Sequence, residues 1–191
     1  MTKKEIRNIF QKKRNELSFD QINILSKKIG ENLINNFDFK GATVSFYLPI
    51  QQKKEINTLQ ILKSIPKEET KIVFPTWNEK TNHLDHFAFK HDKDLIINNF
   101  GIPYQLSDEN IENSEIDFVI TPLLAIDSSG FRVGYGKGVY DQFLANQPEK
   151  CTTIGLHFFE IVDAISDISI YDIPLKYCVT PSSVIHFEKQ S

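Results

Sequence analysis

Cysteine is scarce in this sequence, and it lacks the spacing of a metal site. Only Cys151 and Cys178 occur among 191 residues, and both lie in apolar, strand-like segments. A cysteine-based zinc site and a disulfide-dense scaffold are therefore excluded. We expect two reduced, buried thiols in a cytoplasmic protein. The five histidines are scattered and also lack metal-binding spacing.

Long hydrophobic runs and an excess of positive charge are also missing. No apolar run approaches the length of about 20 residues that spans a membrane. The first five residues, MTKKE, lead into a charged amphipathic segment, which is not the pattern of a signal peptide. A basic N-terminal segment and 12% aromatic residues would suit RNA binding, but the formal net charge of -3 opposes it. We therefore expect neither a membrane nor a nucleic acid as a partner.

The hydrophobic pattern alternates between helix-like and strand-like segments. Helices are predicted at 3–17, 18–36, 56–65 and 139–146, and a capping box of Ser18 and Gln21 marks the start of the second. Strands are predicted at 42–48, 71–74, 83–90, 116–121, 152–158 and 177–180. The alternation favours an α/β fold with a mainly parallel sheet, and the length fits a single domain of residues 1–191.

Several of these segments carry a further expectation. The strand at 71–74 should end at Pro75, the strand at 83–90 should lie at an edge of the sheet, and 177–180 should be the last strand. Residues 91–115, which include Gly101 and Ile102, are predicted as a loop-rich crossing of the surface. In such a sheet, ligands bind at the carboxyl ends of the strands. That edge should carry Pro49, Pro75 and Pro122.

The most distinctive stretch is GFRVGYGKGVYD, residues 130–141, which we call the glycine loop. Closely spaced glycines let backbone N–H groups approach a ligand, and a helix is predicted to begin just beyond them. Arg132 and Lys137 add positive charge, so the loop is predicted to bind a phosphate chain. Asp141 suits the Mg²⁺ that accompanies a nucleoside triphosphate. The alternative is a glycine-rich turn that serves folding alone.

The glycine loop does not match the common phosphate-binding fingerprints. Its Gly-x-Gly-x-Gly at 134–138 lacks the dinucleotide-binding spacing. Gly138 follows Lys137 where a P-loop would place a Ser or Thr on magnesium.

Cations of the first predicted helix could form a second phosphate-binding group. Lys3, Arg7 and Arg14 fall on one helical face. A solvated basic face is the simpler interpretation of such charges at a terminal helix. The functional interpretation makes Lys3, Lys4 and Arg7 phosphate contacts folded over the glycine loop. Lys53 and Lys54 are interpreted as charges of a solvated loop.

These segments together resemble the 5-formyltetrahydrofolate cyclo-ligase family over essentially the whole chain. The strongest part is TPLLAIDSSGFRVGYGKGVYDQFL, residues 121–144, which is similar to the family's Arg-hydrophobe-Gly-x-Gly-x-Gly-aromatic-Tyr-Asp signature. Support comes from shorter matches along the chain: Lys3, Arg7, Arg14, Tyr47-Leu48-Pro49, Glu55-Ile56-Asn57-Thr58, Phe74-Pro75, Asn82-His83-Leu84, Gly101-Ile102-Pro103 and Tyr171-Asp172. The loop between Pro49 and Glu55 is longer than the family pattern.

The resemblance implies a Rossmann-like, three-layer α/β fold and a ligase of one-carbon folate metabolism, which we expect to be a cytoplasmic monomer. Its reaction would be the ATP- and Mg²⁺-dependent closure of 5-formyltetrahydrofolate to 5,10-methenyltetrahydrofolate, through a phosphorylated formyl group, with release of ADP and phosphate. Such chemistry needs positioning and charge neutralisation more than a protein nucleophile. Two alternatives stay open: an ATP-dependent kinase or ligase acting on another small acid, and a non-catalytic nucleotide- or folate-binding module.

The resemblance also implies roles for individual residues. ATP would contact Lys3, Lys4, Arg7, Arg132, Val133, Gly134, Tyr135, Gly136, Lys137, Gly138, Val139 and Tyr140. Asp141 and Asp172 would hold Mg²⁺, directly or through water. The folate would contact Ile50, Glu55 and Tyr135, with the Glu55 carboxylate accepting hydrogen bonds from the pterin. The catalytic contributions would come from Arg132, Lys137 and Tyr135. Phe74, Pro75 and Trp77 are candidates for an apolar pocket wall, with core or rim packing as the alternative.

Overall fold

The chain combines helices and strands, as its hydrophobic pattern predicts. The computed structural model describes residues 1–66, 68–81, 83–89, 95–97, 103–105 and 109–188. Its helices are α1 (Lys3–Glu16), α2 (Phe19–Asn36), α3 (Thr58–Leu62) and α4 (Val139–Ala145). Its strands are β1 (Thr43–Ser45), β2 (Lys71–Asn78), β3 (His83–Ala88), β4 (Leu95–Ile97), β5 (Pro103–Gln105), β6 (Asn110–Ile111), β7 (Phe118–Thr121), β8 (Ala125–Ile126), β9 (Arg132–Val133), β10 (Thr152–Leu156), β11 (Tyr177–Val179) and β12 (Val184–His186).

Eight of these strands form one sheet in the order β12-β11-β10-β7-β1-β2-β3-β6. The five central strands, β11 to β2, run parallel, and the flanking strands β12, β3 and β6 join by antiparallel pairing. In the centre, Val44 of β1 lies between Ile72 of β2 and Phe118 of β7. This confirms the α/β fold with a mainly parallel sheet. Two short antiparallel pairs, β4-β5 and β8-β9, lie outside the sheet.

Local sequence signals account for the first two helices. Thr2 and Glu5 form a capping box at the start of α1, and Ser18 and Gln21 form one at the start of α2. Each box satisfies backbone N–H groups that have no partner within the helix. Neither helix, nor any other in the part of the chain described, is long and apolar enough to cross a membrane.

Helices cover both faces of the sheet. One buried cluster joins residues of α2 and α3, such as Ile29 and Ile61, to Val44 and Ile154 of the sheet. A second cluster joins Phe143 and Leu144 of α4 to other sheet residues. A third packs Ile6 and Phe10 of α1 against Ala125 and Val133 of the β8-β9 hairpin. This third contact holds α1 beside the glycine loop.

Three strand predictions were wrong in detail. The second strand does not end at Pro75 but continues to Asn78. The Val73 carbonyl of β2 accepts a hydrogen bond from the N–H of Phe46, the residue that follows β1. The Pro75 nitrogen lies two residues further along β2 and therefore also faces the β1 side, but at a level where β1 has already ended. Proline is tolerated there because no neighbouring strand requires its missing N–H.

The other two concern the ends of the sheet. β3 is not an edge strand, because His86 and Phe87 pair with β6 on its outer side. β11 is not the last strand, because β12 follows it and pairs antiparallel. The predicted loop at 91–115 contains β4, β5 and β6, whereas Gly101 and Ile102, like Asn82, lie outside the described residues.

Candidate active site

A cavity of about 460 Å³ opens beside the glycine loop, just beyond the carboxyl end of β7. Its wall is formed by α1, by the glycine loop, which includes β9, and by the segment before β11. Its lining is mostly the residues for which sequence predicts ATP and metal contacts: Lys3, Arg7, Pro122, Arg132, Val133, Gly134, Tyr135, Gly136, Lys137, Gly138, Val139, Tyr140, Asp141 and Asp172. Lys4 is exposed and does not line this cavity.

Within the glycine loop, the backbone turns sharply between the end of β9 and the start of α4. Gly136 has φ +88°, and Gly138, the N-cap of α4, has φ +68°, both of which are strained for residues with a Cβ. A Cβ placed on Gly136 would lie 3.2 Å from Arg7 Nη2. Glycine at 136 therefore lets the guanidinium of α1 approach the backbone of the loop.

Cations of α1 contact the site directly. Arg7 Nε donates a hydrogen bond of 2.9 Å to the Gly134 carbonyl, and Lys3 forms an ion pair with Asp172. The helical face that carries these cations is thus turned towards the glycine loop. The simpler interpretation of this face, as fully solvated, was wrong.

Arg132 and Asp141 form a closed set of contacts with the backbone of Ile173. Arg132 Nη2 lies 2.9 Å from Asp141 Oδ1, Arg132 Nη1 donates to the Ile173 carbonyl, and the Ile173 N–H donates to Asp141 Oδ1. Burial lowers the pKa of Arg132, and the adjacent Asp141 carboxylate opposes that shift. Because Asp172 precedes Ile173 in the chain, these contacts bring the two predicted metal ligands to one cavity.

Tyr135 joins the glycine loop to the predicted folate residues. Its hydroxyl donates a 2.5 Å hydrogen bond to Glu55 Oε1, while the Ile50 N–H donates to Glu55 Oε2 at 2.8 Å. Glu55 is only 7% exposed. Burial raises its pKa, although the two hydrogen bonds and the charge of Arg14 oppose the rise. Burial and the Glu55 charge also raise the pKa of Tyr135, so its hydroxyl stays protonated and acts as the donor.

Comparison with known proteins connects this geometry to a family. The sequence profile of the 5-formyltetrahydrofolate cyclo-ligase family matches residues 1–181. The chain belongs to this family.

Individual cyclo-ligases agree with the profile. The 5-formyltetrahydrofolate cyclo-ligase of Escherichia coli is 29% identical over 135 residues, covering 68% of this chain and 74% of that protein. The Haemophilus influenzae enzyme of the same name is 28% identical over 132 residues, and the aligned part is 64% of its length. The chain thus spans just under two thirds of that relative.

Solved structures extend the similarity to the fold. The 5,10-methenyltetrahydrofolate synthetase of Aquifex aeolicus superposes with a TM-score of 0.83 at 27% identity, covering 100% of this chain and 95% of that one. A synthetase of the same name from Mycoplasma pneumoniae gives a TM-score of 0.72 at 23% identity and supports the fold alone.

The segment before Glu55 contacts both α1 and the glycine loop. Lys53 Nζ lies 3.8 Å from the ring centroid of Tyr135, a cation–π arrangement. Lys54, at φ +49°, donates hydrogen bonds of 2.6 Å to the carbonyls of Asn15 and Leu17 at the end of α1. The interpretation as a solvated loop charge was wrong for Lys54, whose amine is bound by two carbonyls, whereas Lys53 is exposed as expected. The segment connects α1 to Tyr135.

Arg14 contacts the predicted folate residue Tyr135, and sequence reasoning missed this contact. It was noted as one of the cations of α1, yet it is only 4% exposed and Nη1 donates to the Tyr135 hydroxyl at 3.3 Å. A signal was available, because Arg14 lies one helical turn from Phe10 and shares the buried side of α1. Phe74 is a core residue and Trp77 is 38% exposed, so neither lines this cavity.

Proposed function

We propose that this protein converts 5-formyltetrahydrofolate to 5,10-methenyltetrahydrofolate, using ATP and releasing ADP and phosphate. The observation that carries the proposal is the cavity, in which cations of α1, the glycine loop and two carboxylates converge in a chain of the cyclo-ligase family. Backbone N–H donors at the start of a helix and nearby cations both favour the binding of a phosphate chain.

ATP is proposed to occupy this cavity with its phosphates against the glycine loop. Lys3, Arg7, Arg132 and Lys137 supply positive charge along its wall, and the backbone from Val133 to Tyr140 supplies N–H donors and close approach. The exposed Lys4 would contact the nucleotide from the rim. Phosphoryl transfer depends mainly on such positioning and charge neutralisation.

The proposed reaction has two bond-forming steps. The formyl oxygen of the folate attacks the γ-phosphorus, the bond from that phosphorus to the β,γ-bridging oxygen breaks, and ADP leaves. The folate N10 then attacks the activated formyl carbon, its proton is released, and the C–O bond breaks to release phosphate. Arg132 and Lys137 would neutralise charge on the transferred group, and Tyr135 would orient the folate near the reacting carbon.

Asp141 and Asp172 are the proposed holders of Mg²⁺, and their chemistry fits that role. Contacts within the described residues reach one oxygen of each carboxylate, Oδ1 of Asp141 and Oδ2 of Asp172. The other oxygen of each remains for a hydrated ion, which prefers one or two carboxylates plus phosphate oxygens. When bound, the ion would supply charge neutralisation at the phosphates.

The folate is proposed to reach Glu55 and Ile50 on the other side of Tyr135. Both Glu55 oxygens already accept hydrogen bonds, one from the Tyr135 hydroxyl and one from the Ile50 N–H. A pterin N–H donor can therefore bond Glu55 only by replacing or joining one of these. Since Tyr135 belongs to the glycine loop, folate and ATP binding would be coupled through this side chain.

An absorbance assay for methenyltetrahydrofolate tests the proposal. The purified chain is incubated with 5-formyltetrahydrofolate and with both, either or neither of ATP and Mg²⁺. Product only in the complete mixture is expected. Absence of product, with ATP bound, would contradict the proposal and lead to a screen of other small acids as phosphoryl acceptors. Binding of both ligands without turnover would indicate a non-catalytic binding module.

We also propose that residues 1–191 act as one domain and as a monomer in the cytoplasm. Both cysteines are buried free thiols, which suits a reducing compartment. Size-exclusion chromatography with light scattering should give the mass of one 22.1 kDa chain. A stable dimer would contradict the monomer, and separate unfolding transitions would contradict the single domain.

A further inference from the structure

Arg14 lies at the centre of a chain of hydrogen bonds between three elements. Nη1 donates to the Tyr135 hydroxyl, and that hydroxyl donates to Glu55 Oε1. Nη2 donates to the carbonyl of Leu123, in the segment between β7 and the β8-β9 hairpin. One buried guanidinium of α1 thus connects the glycine loop, the carboxylate at 55 and the chain that follows β7.

Stability alone does not account for a cation at this position. Arg14 is 4% exposed, and its Nε is buried with no hydrogen-bond partner among the residues described. Taking a guanidinium out of water is costly, and apolar residues of similar volume often replace buried charges with no loss of stability. The neighbouring Phe10 shows that α1 can fill this side with an apolar residue.

We propose that Arg14 is a positioning residue for the folate: it orients Tyr135 and, through the Tyr135 hydroxyl, aligns the Glu55 carboxylate. The inference rests on the proposed function, since it concerns the use of folate by the same site. Arg14 acts through Tyr135 and Glu55 and is not itself assigned a contact with the substrate.

The charges around Glu55 support this role. Burial raises the pKa of Glu55, and Arg14 and Lys53 are the two cations that counteract the rise. The other titratable groups facing it are three tyrosines, Tyr135, Tyr47 and Tyr140, which are neutral because burial raises the pKa of each. Lys53 is exposed and more strongly screened by water. Arg14 is therefore the buried cation that favours the charged form of Glu55.

The test compares Arg14→Met, Arg14→Lys and Lys12→Met in the full chain. Lys12→Met is the matched control, because it also removes a cation from α1 but at an exposed position. For each protein, KM for 5-formyltetrahydrofolate and for ATP, the pH profile of kcat/KM for the folate, and the melting temperature are measured. The wild-type assay comes first: no methenyltetrahydrofolate would overturn the proposed function itself and this inference with it.

With an active wild type, Arg14→Met should raise KM for the folate about 10- to 100-fold, the effect of losing a hydrogen bond in a charged network. The fold-increase in KM for ATP should be smaller than the fold-increase in KM for the folate by a factor of about ten or more. The acid limb of the pH profile should move to higher pH, because Glu55 loses its buried cation. Arg14→Lys should keep the limb near its wild-type position but retain part of the KM defect, because lysine has the charge without the planar fork. Lys12→Met should change neither the KM values nor the position of the acid limb.

Two results would overturn the inference while leaving the proposed function intact. One is an unchanged folate KM in Arg14→Met. The other is an equal rise in KM for the folate and KM for ATP, together with a lower melting temperature and an unchanged acid limb of the pH profile. That combination is expected of a residue with a purely structural role. If Arg14→Met does not fold, Arg14→Lys tests the inference instead. A wild-type KM for the folate in Arg14→Lys would contradict the need for the planar guanidinium of Arg14.

Discussion

Asp141 Oδ1 lies 2.9 Å from Arg132 Nη2, and this pair makes Asp141 important for stability as well as for the proposed metal site. Arg132 is 8% exposed, so removing the carboxylate would leave a buried cation uncompensated. Asp141→Asn is expected to lower the free energy of unfolding by about 3 kcal/mol, the lower end of the cost of breaking a buried pair, and to lose most turnover. Urea unfolding and kcat at increasing Mg²⁺ measure the two effects.

Asp163→Asn is the matched control for this change. Asp163 is an exposed aspartate that does not line the cavity, so the variant should keep wild-type stability and turnover. Near-normal turnover of Asp141→Asn at saturating Mg²⁺ would contradict the metal role. Wild-type stability would contradict the structural role of the pair.

Gly136 should be required for ATP binding, for a reason separable from backbone strain. Gly136→Ala places a Cβ at φ +88° and 3.2 Å from Arg7 Nη2. Gly41→Ala provides the control, since Gly41 has φ +72° but a Cβ added there would meet nothing within 4 Å. Each variant should lose about 1–2 kcal/mol of stability from the left-handed conformation. Only Gly136→Ala should weaken ATP binding, by about tenfold or more, through lost contacts to the phosphates.

Calorimetric titration with ATP and thermal unfolding measure both quantities in the two glycine variants. Equal ATP affinity in Gly136→Ala and Gly41→Ala would mean that the phosphates do not lie against this part of the glycine loop.

Local signals made some elements of this fold predictable from sequence. The start of α2 follows from Ser18 and Gln21, which are three residues apart and bond each other. The prediction at Pro75 was wrong, because whether a proline ends a strand depends on what its nitrogen faces, and that is set by where β1 ends. The start of α2 depends on a few adjacent residues, whereas the end of β2 depends on the assembled sheet.

The same distinction applies to the site. The glycine loop and Asp141 are contiguous in sequence, so their chemistry could be recognised there. The hydrogen bond between Tyr135 and Glu55 joins residues 80 positions apart, and Arg14 reaches Tyr135 across 121. No spacing rule predicts such contacts, because they arise when α1 and the segment before Glu55 pack against the glycine loop. The contact of Arg14 with Tyr135 was therefore missed, although the helical spacing from Phe10 indicated that Arg14 is buried.

Glu55 should affect folate use and leave ATP use nearly unchanged. Glu55→Gln keeps the shape of the side chain but removes the charge that the Tyr135 hydroxyl and the Ile50 N–H contact. We expect KM for 5-formyltetrahydrofolate to rise about 10- to 100-fold, the usual effect of losing charge-assisted hydrogen bonds, with KM for ATP within about twofold. Glu16→Gln, at an exposed position of α1, is the control. An equal loss for both substrates would remove Glu55 from the folate site.

His157 should make the protein sensitive to acid. It is fully buried between the rings of Phe10 and Phe159, and burial, together with the charge of Arg14, lowers its pKa from 6.5 to about 3. The unfolded chain therefore binds a proton below pH 6.5 that the folded protein does not accept until about pH 3. Its contribution to stability is complete above pH 6.5 and falls by up to about 1.4 kcal/mol per pH unit below it.

His157→Phe should remove this part of the acid sensitivity, because phenylalanine preserves the ring contacts and cannot titrate. Denaturant midpoints at pH 7, 6, 5 and 4 measure the slope, and the exposed His83→Phe is the control. His86, whose pKa burial lowers to about 4, remains in all three proteins and leaves a residual slope. The three proteins would lose stability in parallel if His157 were already protonated in the fold, and that result would contradict its burial as a neutral ring.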